Sequence, residues 1–154
     1  MGSEETLPKA LATAYRCLAR RSYSHEELRA KLLQKGFVPA VTEEVLKTVS
    51  RQGYLNDEEI SLRWALSLVE HRSWGREKIS AYLLRKGISR DLVGRVQKQV
   101  WQEYDEEAVA RSALKKHFTG SRGSPSAAQK ARFLQSRGFP ADVIYRCLNI
   151  SLLD

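Results

Sequence analysis

The sequence predicts an all-α protein: three tandem three-helix repeats, with a period of about 51 residues, stacked into an elongated, curved array. Three observations predict it. Apolar residues recur at helical spacing between capping residues and glycines, and nowhere does apolar/polar alternation persist as a strand would require. Three segments end alike, in Lys35-Gly36-Phe37, Lys86-Gly87-Ile88 and Arg137-Gly138-Phe139, with evenly spaced glycines. The match also runs past the glycine. Asp91 and Asp142 occupy equivalent places after Gly87 and Gly138, Leu92-Val93 corresponds to Val143-Ile144, and Tyr54-Leu-Asn-Asp-Glu-Glu59 resembles Tyr104-Asp-Glu-Glu107. The first copy diverges, with Val38-Pro39 and with Ala40 at the aspartate position.

Each helix has its own signals. The first is expected from about Lys9 to Arg20, with Leu11, Tyr15 and Leu18 on one stripe. Ser24 and Glu27 form a capping box, in which the serine oxygen accepts from a backbone N–H and the glutamate reaches back. Leu28, Leu32 and Leu33 follow, and Gly36 ends the helix because glycine takes the left-handed conformation most residues resist. Pro39 suits a first turn, and Val41, Val45 and Val49 form the third stripe, ending near Gly53. Asn56 caps the fourth helix, whose acidic first turn (Asp57, Glu58, Glu59) matches the macrodipole. Ile60, Trp64 and Leu68 share a face as far as about Arg72.

After a break at Ser73-Trp74-Gly75, the fifth helix carries Ile79, Leu83 and Leu84 and stops at Gly87. Ser89 caps the sixth, with Leu92, Val93, Val96 and Val100. Asp105 caps the seventh, with Ala108, Ala113 and Leu114. Thr119 to Ser124 is the longest loop, and Ser124-Pro125 reads as the cap and first-turn proline of the eighth helix, which carries Ala131 and Leu134. The ninth carries Val143, Ile144, Cys147 and Leu148. The expected organisation is a flexible N-terminus over 1–8, then repeats over 9–55, 56–104 and 105–154.

The formal charge is +8, unevenly placed. Lysine and arginine balance aspartate and glutamate over 1–59; the excess lies in 60–104 and 111–154. A basic remainder points to a polyanionic partner, nucleic acid or an acidic protein surface. No apolar stretch approaches the roughly 18 residues of a spanning helix, and the start Met-Gly-Ser-Glu-Glu-Thr has no apolar signal region. No membrane association is expected, and the chain reads as cytoplasmic. Cys17 and Cys147 lie far apart on apolar stripes, outside any metal-ligand spacing, and read as buried hydrophobes.

Catalysis finds no support. His25, His71 and His117 have no adjacent nucleophile and read as solvated, and Gly120-Ser-Arg-Gly123 lacks the Gly-Lys-Ser/Thr of a phosphate loop. The acidic pairs fall in first turns, where capping explains them. No metal and no cofactor are expected. The candidate contacts are basic: Arg20 and Arg21 closing the first helix, Lys35, Lys86 and Arg137 at the three glycine turns, Arg72 and Arg76 around the break, then Lys115, Lys116, Arg122 and Arg132. Arginine offers a planar fork for phosphate or carboxylate. The lysine or arginine before each glycine either opposes a helix dipole or forms a row of contacts.

Leu18-Ala-Arg-Arg21 with Ser24-His-Glu-Glu-Leu28 and Lys35-Gly36, Gly53-Tyr-Leu-Asn-Asp57, Trp74-Gly75 with Lys78-Ile79 and Leu83-Leu-Arg-Lys-Gly-Ile88, and Phe133-Leu134 with Arg137-Gly-Phe139 stand in order along the chain. Together they resemble the RecX family of bacterial RecA regulators. The resemblance spans about residues 10 to 150. It implies a non-enzymatic protein that lodges in the groove of the RecA–single-stranded-DNA filament. There it would inhibit ATP hydrolysis and strand exchange, and some members also bind DNA directly; the expected partners are the RecA filament and single-stranded DNA, with duplex DNA a further candidate. A monomer is the expected form of the free chain. The alternative is a tandem helix-turn-helix-like DNA-binding protein acting without RecA. Against it, the sixth helix offers few base readers, mainly Arg90, Arg95, Lys98 and Gln99.

Overall fold

The computed structural model describes residues 3–148; the remaining parts of the expected N-terminal segment and third repeat lie outside the described residues. Among the described residues every regular element is an α-helix: α1 Ser3–Arg20, α2 His25–Gln34, α3 Pro39–Arg51, α4 Asp57–Arg72, α5 Arg76–Arg85, α6 Arg90–Glu103, α7 Glu106–Phe118, α8 Ala127–Ser136 and α9 Ala141–Leu148. The capping box at Ser24 forms, and Asn56, Ser89 and Asp105 each accept a backbone N–H in the first turn of the helix they precede.

Several details differ from the sequence reading, among them Tyr15, Leu33 and Leu84, which belong to the expected stripes yet are exposed. Helix α1 starts at Ser3, not near Lys9, so residues 3–8 are helical. Pro8 costs one backbone donor but its fixed φ suits a helix, and Leu7 packs against the first core. Helix α8 is capped by Ser126, which closes a capping box with Gln129, so Ser124-Pro125 precedes the cap. In α7 it is Ala110 and Ala113 that are buried, while Ala108 faces solvent.

The helices gather around three apolar clusters. Leu28, Leu32, Val45 and Val49 centre the first, among α1–α3. Ile79, Leu83, Val96 and Val100 centre the second, among α4–α6. Leu134, Phe139 and Val143 centre the third, among α7–α9. Each fully buried side chain of this size contributes about 1.5–3 kcal/mol. Cys17 and Cys147 are buried free thiols.

The trios meet in two seams built alike. In each, the N-terminus of a trio's second helix lies against the glycine turn of the next trio. At the first seam the Ser24 hydroxyl donates to the Lys86 carbonyl, and the Lys86 ammonium pairs with Glu27 at 3.2 Å. At the second, Gly75 N–H donates to the Arg137 carbonyl (2.8 Å) and Glu77 N–H to the Gly138 carbonyl (2.9 Å). A carboxylate from the next trio's first helix completes each seam. Asp57 accepts the His25 backbone N–H (2.9 Å) and contacts its ring, and Glu106 accepts the Arg76 backbone N–H (2.9 Å) and its guanidinium (2.8 Å). His25 is therefore a seam residue rather than a solvated one.

Candidate binding surface

The two seams sort the eleven candidate cations. Arg76 is engaged by buried Glu106. Lys86 is engaged by Glu27 and lies within 5.6 Å of the Trp64 and Tyr82 ring centroids. Arg21 contacts Glu27 and sits 3.6 Å over the Tyr23 ring. These three are already engaged by the protein's own groups, Arg76 and Lys86 across the seams and Arg21 within the first trio. Arg20, Lys35, Arg72, Lys115, Lys116, Arg122 and Arg132 are exposed, and none has a carboxylate partner among the described residues. The cations before the three glycines do not form a uniform row, because Lys86 and Arg137 are drawn into seams while Lys35 stays in solvent.

Three candidates converge. Arg72 ends α4, Lys116 lies in the last turn of α7, and Arg137 caps α8; together with His71, His117 and Phe133 they line an open cleft of about 270 Å³. Among the described residues no carboxylate lines it. Helix α4 can end there because Ser73 takes a left-handed conformation (φ 53°), which turns the chain sharply into the second seam. The Arg137 side chain donates to the Arg72 carbonyl (3.2 Å) and its guanidinium lies 5.0 Å from the Phe133 ring centroid, so its position is fixed. The His117 ring stacks on Phe133 with centroids 4.0 Å apart and planes 10° from parallel. Electrostatically the region is positive. Nearby Lys78 titrates below the ordinary lysine range, first because burial disfavours its charge and then because Arg137 and Arg72 repel it. The cleft combines uncompensated cations with a stacked aromatic floor, chemistry suited to phosphates, carboxylates and unstacked bases.

Helix count and cations were legible in the sequence, but this stack was not. Its members are distant in sequence, and only the packing of α7 on α8 joins them. The seam donors left a fainter signal. Ser24, Gly75 and Ser126 precede the second helix of each trio at the same interval that separates the glycines.

The fold and two matched segments carry comparisons with known proteins. The family description "RecX, first three-helix domain" matches residues 10–47, and "RecX, second three-helix domain" matches residues 56–96. The "Regulatory protein RecX" of Pelodictyon phaeoclathratiforme is 31% identical over 154 residues, covering 98% of this chain and 94% of that protein. This chain belongs to the RecX family. A RecX of Thermus thermophilus is 37% identical over 145 residues, covering 93% of this chain and 89% of the relative. Two RecX crystal structures share the fold. One aligns with a TM-score of 0.81 at 18% identity, covering 97% of this chain and 74% of that one. The other, from Lactobacillus salivarius, gives 0.77 at 14%, covering 95% and 96%. The relatives' names make them regulatory proteins, and the described residues contain no cluster of three or more potential metal ligands and no helix long and apolar enough to cross a membrane.

Proposed function

We propose that this chain is a non-enzymatic regulator of RecA that docks in the groove of the RecA–single-stranded-DNA filament and inhibits ATP hydrolysis and strand exchange. The observation that carries the proposal is the acid-free basic cleft of Arg72, Lys116 and Arg137 on a RecX-family scaffold. A filament offers two negative surfaces, the DNA backbone and acidic protein, and an exposed cation cluster is attracted to both. The three trios read as three copies of one unit, and a stack of such units presents a long continuous face rather than a deep pocket. A groove that winds past several subunits suits that shape. Such a role places the protein in the bacterial cytoplasm, in recombinational repair.

The alternative, sequence-reading helices acting on duplex DNA without RecA, is the weaker reading. In α6, Arg95 is tied to Glu58 (2.9 Å), and Gln97 donates to the Arg76 carbonyl (2.7 Å) and to Ser80. That leaves Arg90, Lys98 and Gln99 exposed on the helix, too few for direct readout of a site. A pull-down on immobilised RecA, with and without single-stranded DNA and nucleotide, separates the readings. Filament docking predicts retention that rises when the filament assembles. Equal retention by DNA alone, with RecA adding nothing, would favour the alternative.

A further inference from the structure

We infer that the two ends of this molecule are the two halves of a third seam, and that copies of the chain associate head to tail through it. Ser24 and Gly75, which enter the two internal seams from the second-helix side, are buried; Ser126, their counterpart before α8, is exposed. Ile88 and Phe139, on the receiving side, are 2% and 1% exposed, whereas their counterpart Phe37 is only half-buried. Gly138 is buried, Gly87 half-buried and Gly36 exposed, and a Cβ built on Gly36 meets nothing within 4 Å. So the same surfaces that are covered twice inside the chain are left open once at each end.

The open halves carry the serine, capping-box and lysine-glycine parts of the first internal seam, without its carboxylate. There, Ser24 is an N-cap serine in a capping box, and its hydroxyl donates to the carbonyl of a lysine that precedes a left-handed glycine. Ser126 is likewise an N-cap serine in a capping box, and its hydroxyl donates to nothing among the described residues. Lys35 precedes a left-handed glycine, and its carbonyl accepts no hydrogen bond among the described residues. Docking α8 of one copy onto the Gly36 turn of another would pair Ser126 with the Lys35 carbonyl. Gln129, in the place of Glu27, would meet the Lys35 ammonium, and Phe37 would be covered. Charge does not oppose the contact, because residues 1–59 carry no net charge and meet the basic C-terminal third. The interface is heterologous, so it extends into an open string rather than closing a dimer. Between separate chains it lacks the tether of the internal seams, so association strengthens with concentration. The inference stands independently of any RecA partner.

The experiment uses two full-length variants, Lys35→Cys and Gln129→Cys, and a short flexible bis-maleimide, with the wild-type chain and its buried cysteines as the blank. Mixing the two variants should give a covalent one-to-one pair, while each variant alone stays uncoupled. A chain carrying both substitutions should give a ladder, and wild-type protein should sediment faster as concentration rises. Absence of a pair on mixing, or coupling of one variant to itself, would overturn the inference.

Discussion

Gly87 and Gly36 occupy equivalent turns with φ of +85° and +96°, yet they do different jobs. An added Cβ at Gly36 meets open space, whereas at Gly87 it would come within 2.7 Å of Glu26 Cγ. Gly36→Ala should therefore cost only the left-handed strain, about 1–2 kcal/mol. Gly87→Ala, and more so Gly87→Val, should cost that plus a displaced seam. Urea midpoints compare the two directly, and equal losses would refute the close-approach argument. Thr42 gives a prediction of opposite sign. It is fully buried and its hydroxyl finds no partner among the described residues, so Thr42→Val should raise stability by roughly 1 kcal/mol. Asp57 sets a pH dependence. Burial alone would raise its carboxyl, but hydrogen bonds from the His25 ring and backbone N–H more than offset that and hold it below the ordinary value. A depressed carboxyl contributes stability that is complete above about pH 4 and is lost as pH falls through the folded value. Asp57→Asn should flatten that acid limb of the stability profile. The positive φ of these glycines is legible in the sequence, because a residue following the last helical turn has that requirement locally. The close approach is not, because it arises only when two trios meet.

At the scale of elements, the seams rely on one device used twice: a carboxylate at the first position of α4 or α7 caps the start of α2 or α5. Glycine precedes α5, so it has no capping side chain of its own, and Glu106 takes that place from the next trio. Glu106→Gln keeps the shape but weakens two charge-assisted bonds, and about 1–3 kcal/mol should be lost. A calorimetric scan should show the second and third trios loosening together. Helix identities are legible here because caps and stripes are local. The misplaced start of α8 has the same origin: Ser124-Pro125 and Ser126-Ala127-Ala128-Gln129 both look like helix starts, and only the second satisfies two donors at once. Ala108 reads as core in the sequence because alanine fits either face of a helix, and packing against α9 decides for Ala110.

For the whole molecule, charge and shape carry the functional reading. The engaged cations, Arg21 within the first trio and Arg76 and Lys86 across the seams, look the same in the sequence as Arg72, Lys116 and Arg122, which face solvent. Sorting them requires knowing which carboxylate lies opposite, a property of the packed array. Reversing Lys115, Lys116 and Arg122 to Glu should leave the helical circular-dichroism signal unchanged, since none contacts a carboxylate among the described residues, and should weaken filament inhibition. The measurement closest to the central claim is the single-stranded-DNA-dependent ATP hydrolysis of RecA, titrated with the wild-type chain and with an Arg72→Glu, Lys116→Glu variant. The wild-type chain should slow hydrolysis below equimolar ratio, and the variant should need a large excess to do the same. Failure of the wild-type chain to slow hydrolysis at equimolar ratio, or equal inhibition by both proteins, would contradict the account.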